Sequence, residues 1–390
     1  MAEYDVIVIG AGPAGSAAAK AAAQKGAKTI LLEEHTKIGI PSHCTGRLHS
    51  TERPDILAEV LRTMDKRVVI REPGDHFQQR VFAPNGKLLQ SEQSSAKHYL
   101  VDRAVFDQEL AKQAVRAGVK VLLGTRVTGL IERDARVVGV NTSSGDLPEA
   151  FGKVVIAADG IAGGVRGVAK WERLIADDQT YVSGITMELT GVSNCDKLGG
   201  LYTGSCLTKG WFSLTPCGLD SCMVQFMSLE EYRRVMEGDY FLSEVLKNAV
   251  PIRMDSWKHT SNLGVRFSEI VKDGLILTGS AANWRGTIVS LVSGRCAGEV
   301  AADAVHEGNV TAQRLGMFID LYEKTGLIRE LYQHSGWQDS RPLGNCSDEE
   351  IEKRLTEMIE RFGSPSMPSA PVLGLRGRTE SVLEQQRRGQ

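Results

Sequence analysis

The sequence has no long hydrophobic run, no excess charge of either sign and few cysteines, and each absence excludes something. No apolar stretch of the 390 residues approaches the about 18 needed to span a membrane as a helix. The net charge is −2, which gives no electrostatic footing for nucleic acid. Seven cysteines in so long a chain do not make a disulfide scaffold. None of the eight histidines falls into a metal-ligand spacing, and no internal repeat appears. The first strand-like run starts within a few residues of Met1, which leaves no room for a secretory signal. These features predict a cytoplasmic protein, with peripheral membrane attachment left open.

What is present opens the chain. The apolar run Asp5 to Ile9 leads into Gly10-x-Gly12-Pro13-Ala14-Gly15, then an Ala-rich helical stretch, then the run Thr29 to Leu32 that ends at Glu33 and Glu34. This is strand, tight turn, helix, strand and acid. The first glycine turns the chain off the strand, the second admits a pyrophosphate, and the third lets helix and strand pack closely. The helix N-terminus offers free N–H groups to phosphates, and Glu33 stands where a carboxylate accepts from a ribose. The unit reads as a dinucleotide site. No second such glycine motif follows a later strand, so a dedicated nicotinamide domain is not expected.

Further on, Pro41 and Gly46 bracket a loop holding His43 and Cys44. Asp102 is placed to cap a helix with apolar spacing at Val105, Phe106, Leu110 and Ala114. Strands are expected at Val119–Leu123, Val127–Glu132 and Arg136–Asn141, and at Lys153 to Ala157 before Asp159-Gly160. The middle of the chain alternates strand-like runs (Tyr181–Leu189, Trp211–Leu214, Cys222–Phe226) with one helix near Ser228–Met236. A buried strand then reaches Gly279-Ser280, followed by helices over Thr287–His306, Ala312–Tyr332 and Asp348–Phe362. Cys217 and Cys222 flank a hairpin turn and are expected to face each other across it. Cys195 and Cys206 show no partner pattern.

Together these blocks resemble the FAD-dependent geranylgeranyl reductase family, within the glutathione-reductase-type and hydroxylase-type flavoproteins. The resemblance rests on the opening glycine motif through Glu33, on Ile38-Gly39-x-Pro41-x-x-Cys44-x-Gly46, on Val101-Asp102-Arg103 with Phe106-Asp107, and on Ala158-Asp159-Gly160 with Val165-Arg166. Lys209-Gly210-Trp211-Phe212 with Pro216 is a looser echo of the family's substrate motif. The resemblance implies an α/β fold: a glutathione-reductase-type Rossmann FAD domain with an inserted antiparallel-sheet substrate domain and a helical C-terminal region. The expected division is 1–75, 97–165 and 268–306 for the FAD domain, 76–96 and 166–267 for the sheet domain, 307–362 helical, and 363–390 a tail.

By carry-over, Gly10, Gly12, Pro13, Ala14, Gly15, Glu33, Glu34, Arg103, Val127, Asp159, Gly279 and Ser280 would face FAD, and Cys44 would lie beside the isoalloxazine as a candidate catalytic thiol. Trp211, Phe212 and Pro216 would line a pocket for a hydrophobic small-molecule substrate. The implied activity is reduction of prenyl double bonds at a membrane surface, with electrons from a transient ferredoxin-like or NAD(P)H donor. The chain departs from the family where a Gly-Asp pair is usual, having Gly279-Ser280, and only Asn283-Trp284-Arg285-Gly286 precede the next helix, with Trp284 bulky for a flavin site. Two other readings share the fold: a dehydrogenase between a partner flavoprotein and quinone or a flavin hydroxylase, and a non-catalytic or altered-cofactor relative.

Overall fold

The computed structural model describes residues 3–49, 53–72, 78–93, 98–161, 164, 181–208, 210–260, 270–284, 286–327 and 343–362. Expectations on Val165-Arg166, Lys209, Arg285, residues 328–332 and the tail lie outside them. The chain divides into two compact units, one of residues 1–72, 96–182 and 258–332 and one of residues 73–95, 183–257 and 333–390.

The first unit is built on an eight-stranded sheet whose centre is parallel. Glu3–Ile9 lies between Thr29–Leu32 and Glu149–Ala157, and all three run the same way. Lys120–Leu122 and Leu275–Leu277 extend this parallel core at either side. Val127–Arg133 and Arg136–Thr142 form an antiparallel hairpin that continues onto Glu149–Ala157. Thr29–Leu32 is buried throughout, and so are Val6–Ile9 and Val154–Ala157 beside it, as the run of apolar residues on both faces requires of a covered parallel sheet.

The helices Pro13–Gln24 and Thr287–His306 pack against each other with no large side chain between them. A Cβ on Gly294 would stand 2.1 Å from the Ala14 carbonyl oxygen, and one on Gly298 would stand 2.1 Å from that of Ala18. Glycines one turn apart on one helix therefore meet alanines one turn apart on the other, so the two backbones touch. Asp102 caps the helix Arg103–Arg116, its carboxylate accepting from the Ala104 and Val105 N–H groups at 2.8 and 3.1 Å.

Over 312–327, the described part of the helix predicted for Ala312–Tyr332, there are two short helices, Ala312–Leu315 and Met317–Glu323, which meet at Gly316. Both lie in the first unit. Among the described residues no helix is long and apolar enough to cross a membrane.

The second unit holds a seven-stranded sheet in the order Val250–Thr260, Tyr181–Thr190, Ser221–Phe226, Trp211–Pro216, Gly200–Thr203, Gln78–Phe82 and Leu88–Gln93. From Tyr181–Thr190 onward the successive strands pair antiparallel, except that Gly200–Thr203 and Gln78–Phe82 run parallel. Alternate residues (Met187, Leu189, Tyr202, Phe212, Leu214, Val224, Phe226) point to one face. There they bury against Val235, Leu242 and Leu246 from the helices Leu229–Glu237 and Phe241–Leu246. Pro84-Asn85-Gly86 turns the hairpin between Gln78–Phe82 and Leu88–Gln93, with Gly86 at φ +85°.

Candidate cofactor site and its cysteine loop

The turn after the first strand is fixed by close approach on two sides and left open on a third. Gly10 has φ +90°, and a Cβ there would stand 2.6 Å from the Ala158 carbonyl oxygen. A Cβ on Gly15 would stand 1.8 Å from the oxygen of Gly10, so helix and turn can only meet at glycine. A Cβ on Gly12, in contrast, would meet nothing within 4 Å. That open side borders the first turn of the helix, which has no side-chain cap and whose N–H groups have no intrahelical partners. Pro13 starts the helix at a position where its missing N–H costs nothing. The result is a cradle of backbone donors for an anion.

Glu33 is 8% exposed at the end of the second strand. Its Oε2 accepts from the Ala11 N–H at 2.7 Å, and its Oε1 accepts from the His35 N–H at 2.9 Å and contacts His35 Nδ1 at 2.7 Å. The carboxylate is thus locked beside the phosphate turn with lone-pair capacity left on Oε2 for a ribose hydroxyl. Glu34 pairs with Arg126 at 2.8 Å, and Thr125 donates its N–H to the Glu33 carbonyl, which brings Val127 to the same edge.

Asp159 backs onto Gly10, whose added Cβ would stand 3.0 Å from the Asp159 Cα. Gly279 closes the other flank, where an added Cβ would stand 2.7 Å from that of Ala14. Ser280 follows it in a short 3-10 turn. Trp284 is fully buried against Phe318 and Tyr322, at ring separations of 5.7 and 5.0 Å. Its bulk fills the core beneath the helix Met317–Glu323, which removes the steric objection that the sequence raised against a flavin.

The loop Ile38–Gly46 is bolted to the helix Arg103–Arg116 and the strand before it. Gln108 Nε2 donates to the Ile38 carbonyl at 3.1 Å, and the Val101 N–H donates to the Gly46 carbonyl at 2.9 Å. Added Cβ atoms on Gly39 and Gly46 would lie 2.8 Å from Ala104 Cα and 2.2 Å from the Val101 oxygen, so this loop can approach only through glycines.

The loop delivers Cys44, whose sulfur accepts from the Gly46 N–H at 3.4 Å, close enough to the Arg103 guanidinium to act on its charge. Arg103 is in turn held by Asp107 one helical turn on, through Nε at 3.2 Å and Nη2 at 3.0 Å, with both side chains about one-tenth exposed. Burial disfavours the Arg103 charge. The Asp107 carboxylate and the Cys44 sulfur outweigh this and hold the guanidinium above its ordinary value. Burial lifts the Asp107 carboxyl above the usual range against the pull of Arg103, and Glu33 adds to the lift.

All thirteen residues assigned to the cofactor from the sequence therefore fall within the first unit. The sequence reading passed over Asp107 and His35 as site residues. The i,i+4 spacing of Arg103 and Asp107 was the available signal for the first.

The substrate trio separates. Phe212 is 1% exposed in the sheet core and Pro216 shares its face, whereas Trp211 alternates onto the opposite face. One pocket wall cannot be made of all three. Cys222 is buried beside Cys195, which the sequence left without a partner, and both the Cys195 thiol and burial push the Cys222 thiol up. The Cys217 N–H closes the turn onto the Ser221 carbonyl.

These residues fit FAD on geometric grounds: an open anion cradle, a buried carboxylate at ribose distance along the chain, and a third flank at Gly279. A family model for FAD dependent oxidoreductases matches residues 5–165. Digeranylgeranylglycerophospholipid reductase 2 of Methanopyrus kandleri is 30% identical over 395 residues, spanning 92% of this chain and 91% of the relative. Digeranylgeranylglycerophospholipid reductase 1 of Methanothermobacter thermautotrophicus is 31% identical over 342 residues, 81% of each.

Among solved structures, a geranylgeranyl bacteriochlorophyll reductase-like protein from Thermoplasma acidophilum superposes with TM-score 0.77 at 24% identity, covering 96% of both chains. A halogenase solved with phloroglucinol and FAD gives 0.64 at 14%, covering 93% of this chain and 84% of that one. These two show the fold. The chain is a flavin-dependent oxidoreductase with FAD as its cofactor, and it belongs to the geranylgeranyl reductase family.

Proposed function

We propose that the protein reduces isolated C=C bonds of an isoprenoid chain, carried by a lipid or a comparable hydrophobic substrate. One observation carries the reading. The similarity to the Methanopyrus reductase extends over 92% of the chain, so it takes in the sheet unit as well as the cofactor half. An alignment confined to the glycine turn would speak for the cofactor alone.

When reduced, FAD supplies a hydride equivalent to one alkene carbon. The chain's own residues bind and orient it. The open cradle at Gly12 would take the pyrophosphate, Glu33 the adenosine ribose, and Gly279-Ser280 the flank nearer the flavin. Cys44, with Arg103, would stand at the isoalloxazine end as a group able to hold or give a proton. Trp211 is the aromatic candidate for the substrate side of the sheet unit. A transient donor, ferredoxin-like or NAD(P)H, would provide electrons, and contact with a membrane surface would give access to a lipid substrate.

The test is anaerobic incubation of FAD-loaded, dithionite-reduced protein with a geranylgeranylated glycerophospholipid, followed by mass spectrometry. A gain of two mass units per double bond supports the reading. No mass change, together with rapid reoxidation by a quinone or by oxygen with a hydroxylated acceptor, would transfer the protein to the quinone-linked or hydroxylating readings.

A further inference from the structure

Among the described residues the seven-stranded sheet ends at the strand Val250–Thr260, and this edge holds apolar side chains in the open. Val250, Ile252 and Met254 alternate onto one face and are 57, 60 and 52% exposed. Arg253 and Asp255 point to the other face, where Arg253 meets Asp255 at 3.2 Å and Glu188 at 3.8 Å. Edge strands are commonly protected by outward charge. Here the charges pair on one face and the apolar residues stand open on the other.

A second feature adjoins this stripe. The turn between Trp211–Pro216 and Ser221–Phe226 carries Leu219, which is 82% exposed. Its backbone is pinned: the Cys217 and Gly218 N–H groups donate to the Ser221 carbonyl, the Cys195 N–H to that of Leu219 and the Val192 N–H to that of Asp220. Leu219 is therefore presented by a fixed turn. Gly191 joins the two features. An added Cβ there would stand 2.4 Å from the Asn248 oxygen, two residues before Val250, while its neighbour Val192 holds the Leu219 turn. Four exposed apolar side chains thus gather at one corner of the sheet unit.

We propose that this corner rests on a lipid bilayer, with Leu219, Val250, Ile252 and Met254 entering its acyl boundary. Two observations set aside a second copy of the chain as the occupant. Pro251 lies within the stripe and cannot donate a ladder hydrogen bond, a device that protects edges from strand addition. Four side chains also fall far short of the about 20–30 residues a side in a stable protein interface, whereas a shallow lipid contact needs only a few inserted apolar groups. The nearby cations are already paired, Lys247 with Glu244 and Arg253 with Asp255, so the contact is apolar rather than directed at anionic headgroups. The choice of lipid rests on the function proposed above; the geometry of the corner does not.

The experiment is flotation of the full FAD-loaded chain with phosphatidylcholine vesicles on a density gradient, at low and high salt, with melting temperature and FAD content read for every variant. Wild-type protein should float at both. Leu219→Asp with Ile252→Asp should lower the partition coefficient about tenfold or more. If the double variant is unstable, Leu219→Asp alone decides, with a smaller loss in the same direction. Leu88→Asp, at a position 49% exposed on the opposite edge strand Leu88–Gln93, should leave partition unchanged.

Wild-type protein that does not float, partition that Leu219→Asp leaves unchanged or that Leu88→Asp lowers equally, or binding confined to anionic vesicles at low salt would overturn the proposal. So would a concentration-dependent dimer that the double variant dissolves. Flotation through this corner without saturation of a prenyl lipid would refute the proposed function and leave this inference standing.

Discussion

Replacing Gly298 by alanine tests the contact on which the cofactor unit is assembled. The added Cβ would stand 2.1 Å from the Ala18 carbonyl oxygen and 2.8 Å from its carbonyl carbon. Ordinary carbon–oxygen contact is about 3.3 Å, so the helices Pro13–Gln24 and Thr287–His306 must part by roughly 1 Å. The obstacle is backbone inside a helix, which no rotamer change relieves. A gap of that size forfeits about a quarter to a half of the dispersion energy along the seam. Together with the strain of overpacking, the cost should reach about 3 kcal/mol.

For a unit of this size that is a fall in melting temperature of about 6–12 °C, measured on apoprotein so that cofactor linkage does not mask it. Gly294→Ala makes the same clash against Ala14 in the first helical turn, at the phosphate cradle. It should cost similar stability and also weaken FAD, whereas Gly298→Ala should leave the FAD dissociation constant of the folded protein within about threefold. A Gly298→Ala melting temperature within 1 °C of wild type would refute the backbone-contact argument, and equal loss of FAD in both variants would refute the distinction between them.

Three further outcomes follow from the same geometry. Glu33→Gln removes a buried charged acceptor from the Ala11 N–H and from the ribose side, and should weaken FAD by about 10- to 100-fold by flavin fluorescence titration. Trp284→Phe should lower the melting temperature, since it leaves a void against Phe318 and Tyr322, yet keep one FAD per chain by absorbance; loss of flavin would place the indole at the cofactor after all. Asp5 is partly desolvated, which raises its pKa, but hydrogen bonds from Lys153 and the Lys28 N–H outweigh this and lower it overall. Its stabilisation, under about 1 kcal/mol for so exposed a pair, is present above the unfolded carboxyl pKa and is lost as pH falls through the lowered folded value. The melting temperature of Asp5→Asn should therefore converge on wild type as pH drops from 6 to 3, and a constant difference would contradict this account.

Much of the site was legible before any coordinates. Gly10, Gly12, Gly15 and Glu33 declare themselves because a turn, a helix start and a strand end occupy fixed offsets along a single βαβ unit, and local sterics leave few residues able to fill them. Asp102 announced its cap, and the helix Thr287–His306 was readable in the sequence. Trp211 and Phe212 were harder. A motif names neighbours in sequence, but a strand sends neighbours to opposite faces, so their separation needed only the element type to be taken seriously.

What the sequence by itself determined is local: the strand–turn–helix that cradles a phosphate, the acid that follows it, and the glycines and proline that frame Cys44. What only the tertiary structure decided is which distant segments meet. Gly294 and Gly298 look like unremarkable residues within a helix until Ala14 and Ala18, some 280 positions earlier, are found against them. The loop that carries Cys44 meets the helix Arg103–Arg116 only by docking on a segment about sixty residues later, and Trp284 becomes core rather than obstacle when the helix Met317–Glu323 covers it. The physical reason is the range of the forces involved. Backbone sterics and capping act over a few residues, whereas close packing and burial depend on chain segments brought together by the fold as a whole, and no local pattern records their partners.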